Sequence, residues 1–244
     1  ENIIIMHEDC VPTSNQLIVN LLKELNKHPG SVVDANITYS LQVWSKYDYW
    51  NKILVFRYLK SFGPSLGKTS SFKKSLFKKT GYFDNETFKT AGEDLDFVYR
   101  MKLLGIKSLA TKDIVYHNHF DKNASLKKVL KKEWQMGEAH GAWKRKYKLK
   151  RMGKFDVEVR LLSLFFMILG LFTYKVLFFI GLLPFIVISI FKSIKNYNAS
   201  KWLPGLITFP FICLLILFVQ IIANLKGLIV GKQGQPFFSA QQHL

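Results

Sequence analysis

The sequence predicts an α/β soluble unit followed by apolar helices long enough to enter a membrane. Short strand-like runs alternate with helix-like periodic runs over residues 2–120, apolar residues crowd the last third, and lysines crowd the junction between. The chain of 244 residues is 49% hydrophobic and 15% aromatic yet carries a formal charge of +18, so charge and hydrophobicity belong to different regions. Residues 1–120 are therefore assigned to the α/β unit, 121–160 to a basic juxtamembrane segment, 161–232 to a membrane unit and 233–244 to a tail. The two cysteines, Cys10 and Cys213, imply no disulfide framework and fit a reducing setting. No signal peptide opens the sequence and its first residue is Glu1, as expected of a chain that starts partway through a longer protein.

Taken in order, Asn2, Ile3, Ile4, Ile5 and Met6 form a buried-strand pattern that runs into His7, Glu8 and Asp9. Acids at the carboxyl end of a strand in an α/β sheet sit where such sheets bind ligands. Pro12, Thr13 and Ser14 cap a helix in which Leu17, Ile18, Leu21, Leu22 and Leu25 recur at helical spacing, and His28, Pro29 and Gly30 end it. Residues 31–39 alternate as the next strand, and the aromatic-rich residues 41–61 favour a helix weakly, their rings suiting a core more readily than a sugar. Gly63, Pro64 and Gly67 predict a loop over 62–67, after which 68–74 lead into a short helix and residues 80–84 turn. Gly92, Glu93, Asp94, Leu95 and Asp96 open a helix that carries Arg100 and stops at Gly105. Two strand-like runs, 106–110 and 113–116, then end in His117, Asn118 and His119, a pair of histidines that makes a metal site only where acids converge on it.

The three acids at the mouth of that helix have two readings. As dipole complementation, each gains about 0.3–1 kcal/mol from unpaired N–H groups. As catalytic groups, one of them removes a proton from an incoming hydroxyl. Alone, the first reading is favoured, and the neighbouring motifs reverse the balance.

The order of a strand ending in an acidic triplet, the turn Gly81-Tyr82-Phe83-Asp84, the motif Gly92-Glu93-Asp94-Leu95-Asp96 with Arg100, and Val115-Tyr116-His117 resembles the second half of family-2 glycosyltransferases of the GT-A fold. The resemblance covers residues 2–120 and continues loosely through the basic helix. It implies the acceptor-side, C-terminal half of a GT-A-like domain, followed by transmembrane helices. It also implies inverting transfer of a sugar from a nucleotide-diphospho-sugar to a hydroxyl of a lipid-linked or membrane-proximal acceptor, with Mg2+ or Mn2+ on the diphosphate. Asp94 is then the base, with Glu93 and Asp96 shaping its surroundings, and Arg100 is a countercharge that joins Trp134 as a donor-binding candidate. Asp9 and His117 are the expected metal ligands, His117 preferred over His119, with His7 as a further contributor.

Two departures accompany the resemblance. His7 stands where the family has the first acid of its Asp-x-Asp triplet, and the half-domain that holds the base and ribose of the donor is absent upstream. The expectation is a fragment of the full enzyme, the alternative a catalytically inactive membrane scaffold or binding module that keeps the fold. Residues 137–143 lie where the family closes over its donor, while the Gln-x-x-Arg-Trp motif of processive synthases is not present.

Lys127, Lys128, Lys131 and Lys132 fall on one side of a helix opposite Leu126, Val129, Leu130 and Trp134, and Lys144, Arg145, Lys146, Lys148, Lys150, Arg151 and Lys154 follow. No zinc spacing, helix-turn-helix or RNA-binding signature accompanies this charge, which disfavours nucleic acid. Anionic membrane lipid attracts each basic residue near its surface by about 1 kcal/mol. Residues 161–191 and 203–225 are the apolar runs, and a crossing needs about 20 residues. Lys175 belongs near an interface, because a lysine at the bilayer centre costs about 2.5–3.5 kcal/mol. That makes 157–174 an interfacial helix, 176–191 the first crossing and 203–225 the second, with the soluble unit and the tail cytoplasmic. Lys192, Lys195 and Lys201 in the connecting loop favour the opposite side for it and leave a three-crossing alternative.

Overall fold

The computed structural model describes residues 1–56, 58–59, 62–64, 67–148 and 155–233, with 64 and 155–161 described by backbone alone. They divide into two compact units: Glu1–Asp84, Asp94–Leu126 and Asn198–Lys201 form the first, and Asn85–Glu93, Lys127–Tyr197 and Trp202–Leu244 the second. The segment Asn85–Glu93 groups with the second unit, and Asn198–Lys201, the end of a long helix and the residue after it, groups with the first.

The first unit is built on six strands: β1 (Asn2–Met6), β2 (Cys10–Pro12), β3 (Val32–Thr38), β4 (Gly63–Pro64), β5 (Thr69–Lys73) and β6 (Ser108–His117). Their order is β1-β5-β3-β6-β2, with β4 also on β3. β3 pairs in parallel with β6 and antiparallel with β5, and β1 is antiparallel to β5, so β1, β3 and β6 run the same way and end at one edge. Helix α1 (Leu17–Lys27) buries Leu17, Leu21 and Leu25 on one face of the sheet, against Val33, Ala35, Ile37 and Val115. Helices α4 (Leu76–Thr80) and α5 (Glu93–Leu103) bring Leu76, Phe97 and Met101 to the other, against Val32 and Phe72. With helices on both faces, β3 is buried along most of its length, as a strand inside such a layered sheet must be. Two short helices, α2 (Leu41–Ser45) and α3 (Tyr49–Phe56), occupy the aromatic-rich stretch, and Trp44, Ile53 and Phe56 are core residues.

Several expectations are corrected. Residues 68–74 do lead into a short helix, α4, but 69–73 of them form a strand that the sequence pattern does not show, β5, inside the sheet. The runs 106–110 and 113–116 are one strand, β6, whose register against β3 shifts between Asp34 and Asn36. β1 lies at an edge with alternating exposure rather than fully buried. The cap of α1 is Gln16 without a side-chain cap bond, although the Ser14 hydroxyl accepts from the Gln16 N–H.

Among the described residues the second unit holds four helices: α6 (Leu126–Lys146), whose first residue belongs to the first unit, α7 (Phe155–Phe172), α8 (Lys175–Ser200), whose last three residues belong to the first unit, and α9 (Leu203–Val230). α8 begins at Lys175, the residue that the insertion cost places at an interface. α8 and α9 are each long and apolar enough to cross a membrane, and only 22% and 39% of their most apolar windows are buried. So little burial separates them from core helices of a soluble domain. Small residues let helix axes approach: a Cβ on Gly137 would lie 2.8 Å from that of Ala223, and one on Gly181 would lie 2.7 Å from Met167. Thus Gly137 and Gly141 of the 137–143 segment serve the α6–α9 contact, where Gln220 donates to Glu133 at 2.6 Å and Lys226 pairs with Glu138 at 2.5 Å. Lys150, Arg151, Lys154 and the tail beyond Gln233 lie outside the described residues.

Candidate functional site

Residues 7–9 connect β1 at one edge of the sheet to β2 at the other, beside the ends of β3 and β6. Backbone bonds hold this connection: His7 N–H to the Lys68 carbonyl at 2.9 Å, Cys10 N–H to the His7 carbonyl at 3.1 Å, and Asn118 N–H to the Asp9 carbonyl at 2.8 Å. The Asp9 carboxylate is thereby set among three imidazoles. Its Oδ2 lies 2.9 Å from His117 Nε2 and 3.2 Å from His119 Nδ1, while Oδ1 lies 4.0 Å from His7 Nδ1. Asp9 Oδ1 is buried without a hydrogen-bond partner. One ligand atom from each of His7, Asp9 and His117 falls within a 4.8 Å cluster, so the sequence-expected trio is brought together.

The other nitrogen of His117 has its own partners. Nδ1 is 3.0 Å from the Tyr39 hydroxyl and 3.3 Å from Lys68 Nζ. Tyr39 follows β3 and stacks on Tyr58 with ring centroids 6.0 Å apart. Burial and the Lys68 charge push the His117 pKa down to about 4, against the pull of Asp9, so at neutral pH the imidazole is uncharged and its contact with Asp9 is a hydrogen bond. Burial works against ionisation of Asp9, yet the His119 hydrogen bond and the neighbouring imidazoles outweigh it and lower its pKa. Burial likewise lowers the Lys68 pKa, opposed by Cys10, Asp9 and Asp94. Among the described residues, no carboxylate forms an ion pair with Lys68.

Lys68 was not singled out by sequence reasoning, and the signal that finds it is a cation whose side-chain partner is an imidazole. Its neighbour Gly67, at φ +86°, faces the other candidate group: a Cβ there would lie 3.5 Å from Asp94 Cβ. Asp94 is exposed at the start of α5, its Oδ1 accepting from the Leu95 N–H at 2.7 Å. Glu93, the first residue of α5, is half-buried and groups with the second unit. Asp96 and Arg100 are engaged with each other. Asp96 is fully buried and takes two guanidinium contacts at 2.8 and 2.9 Å, and Arg100 also donates to the carbonyls of Thr80 and Tyr82. That pair therefore fastens the 80–82 turn to α5. Trp134 lies on α6 in the second unit, with Lys226 Nζ 5.4 Å from its ring centroid.

A carboxylate with one orphaned buried oxygen and two imidazole nitrogens make a donor set that fits a divalent cation, with Mn2+ better matched than Mg2+ because imidazole is a softer ligand than oxygen. No family model matches the chain, and no curated protein matches it significantly.

Proposed function

We propose that this chain is the acceptor-side part of an inverting, membrane-held glycosyltransferase of the family-2 kind, which passes a sugar from a nucleotide-diphospho-sugar to a hydroxyl of a lipid-linked or membrane-proximal acceptor. The observation that carries the reading is the turn at Gly67 and Lys68, one residue facing Asp94 and the next contacting His117. One turn of chain thus links a candidate base to a candidate cation site.

In this reading Asp9, His117 and His7 would hold a divalent cation, which would supply positive charge to a diphosphate leaving group. A cation on His117 Nε2 requires the tautomer with hydrogen on Nδ1, and the Tyr39 hydroxyl 3.0 Å away accepts it. The Lys68 ammonium, no longer needed by that nitrogen, adds a second positive charge to the same anionic group. Asp94 takes the proton of the acceptor hydroxyl as the new bond to the anomeric carbon forms and the bond to diphosphate breaks. Asp96 and Arg100 position the helix rather than the donor, by the contacts they make with the 80–82 turn. Helices α8 and α9 hold the protein at the membrane, and the lysines of α6 favour the cytoplasmic side for the soluble unit.

The test is made on the full-length protein in lipid nanodiscs, with Mn2+ binding followed by electron paramagnetic resonance and turnover assayed against a panel of nucleoside-diphosphate sugars. Asp94→Asn should lower turnover by about 10²–10⁴-fold while Mn2+ still binds. Asp9→Ala should weaken Mn2+ binding more than His7→Ala. Turnover that persists in a chelator, or that survives Asp94→Asn, overturns the assignment. Mn2+ binding with no turnover on any sugar nucleotide would favour the scaffold reading.

A further inference from the structure

We propose that Gln233, three residues beyond α9, is a positioning residue for the segment that delivers Glu93 and Asp94. The role given to Asp94 rests on the function proposed above; the contacts of Gln233 do not. Its side chain is 3% exposed and every polar atom of it is engaged. The amide oxygen accepts from the Thr90 N–H at 2.9 Å and the Ala91 N–H at 3.4 Å, and the amide nitrogen donates to the Gln135 carbonyl of α6 at 2.9 Å. Its backbone N–H donates to the Thr87 carbonyl at 2.9 Å. One glutamine therefore ties three backbone positions of Asn85–Glu93 to α6 and to the end of α9.

Among the described residues of Asn85–Glu93, Phe88 is the buried side chain that enters a core, against Ala139 and Ala142 of α6. The Thr90 and Ala91 N–H groups lie just before the first turn of α5, where the helix itself supplies no acceptor. Gly92 then takes φ +95°, and a Cβ on it would lie 2.8 Å from that of Ala139, so chain direction into α5 is set by backbone geometry at that residue. Gly231, at φ +80°, closes α9 and turns the chain that carries Gln233. Asp94 is thus three residues along the chain from a backbone group held by a side chain just beyond α9. A change at Gln233 is felt by the Asn85–Glu93 segment through this amide.

The experiment uses the full-length protein in nanodiscs and two variants, Gln233→Ala and Gln233→Glu. Hydrogen exchange read by mass spectrometry reports the Asn85–Glu93 backbone, and carbodiimide labelling with glycinamide reports the reactivity of individual carboxylates. Gln233→Ala should speed exchange in Asn85–Glu93 by about tenfold, the opening expected when a net hydrogen bond's stabilisation is removed. It should also change the labelling rate of Asp94 by about twofold or more while that of Asp9 stays constant. Gln233→Glu keeps the acceptor for Thr90 and Ala91 but not the donor to Gln135, and should restore part of the protection. Unchanged exchange, exchange rising equally in α6 and α9, or constant Asp94 labelling would each overturn the proposal. Failure of Mn2+ binding or of turnover would strike the glycosyltransferase reading and leave these measurements intact.

Discussion

Asp34 on β3 has no exposed surface and accepts from the hydroxyls of Ser70 on β5 and Ser108 on β6, both at 2.5 Å. Burial raises its pKa in spite of those two donors. A carboxyl raised in this way binds its proton more readily folded than unfolded, so its stabilising contribution is present at low pH and fades as pH rises through the raised value. Asp34→Asn, which cannot ionise, should therefore compare better with the wild type at pH 7 than at pH 4 in thermal unfolding. Asp34→Ala should lose about 1–3 kcal/mol, because the Ser70 hydroxyl is left buried without its acceptor. A wild-type minus Asn difference that is the same at both pH values would show that ionisation of Asp34 costs the fold nothing. At this scale the sequence was informative where chemistry follows a strand end: His7, Asp9 and His117 were legible because each lies just past or at the end of a strand. Lys68 and Asp34 were not. Nothing in Gly67-Lys68-Thr69 marks a lysine whose side-chain partner is an imidazole, and nothing in Val32-Val33-Asp34-Ala35 shows that two serines from other strands will meet the acid.

At the scale of elements, the Asp96–Arg100 pair shows a helix recruited to hold a turn. Arg100→Met would leave the Asp96 carboxylate buried with its charge uncompensated, a loss of about 3–5 kcal/mol in the equilibrium unfolding of the protein. Arg100→Lys keeps the charge but cannot reach both Thr80 and Tyr82 carbonyls, and should lose less. If Met and Lys variants were equally stable, the charge would not be what the helix requires. The same scale explains why β5 was not read as a strand. Thr69, Ser70 and Ser71 are polar, yet all three are fully buried, because each hydroxyl has a partner: the Lys68 carbonyl, Asp34 and the Leu21 carbonyl. Hydrophobic periodicity cannot register a strand whose burial is licensed by hydrogen bonds formed across the fold. α1, α5 and α9 were legible because their apolar stripes or runs are local properties.

For the whole molecule, composition marks where charge and apolar residues lie along the chain, while the compact units of the structure interleave along it, since residue proximity in space is not recorded in local composition. The two-crossing expectation puts residues 192–202 across the membrane from the sheet-bearing unit. A cysteine placed at Asn198 should therefore react with a membrane-impermeant maleimide from outside in sealed vesicles, while one placed at Lys23 on α1 stays protected. Equal protection of the two would mean three crossings.

β1 carries a consequence of a different kind. Among the described residues its hydrogen bonds go to β5 alone, so its outer rim presents free N–H and C=O groups beside Ile4 and Met6, which are 36% and 48% exposed. An apolar, straight rim of this sort is a template on which another chain can lay a strand, and it lacks the inward charges or bulges that discourage such growth. Self-association in solution should consequently rise steeply with protein concentration and be seen by light scattering before any loss of helix signal. Ile4→Lys, which sets a charge on that rim, should suppress it with little change in melting temperature; scattering unchanged by that substitution would show that aggregates grow from elsewhere.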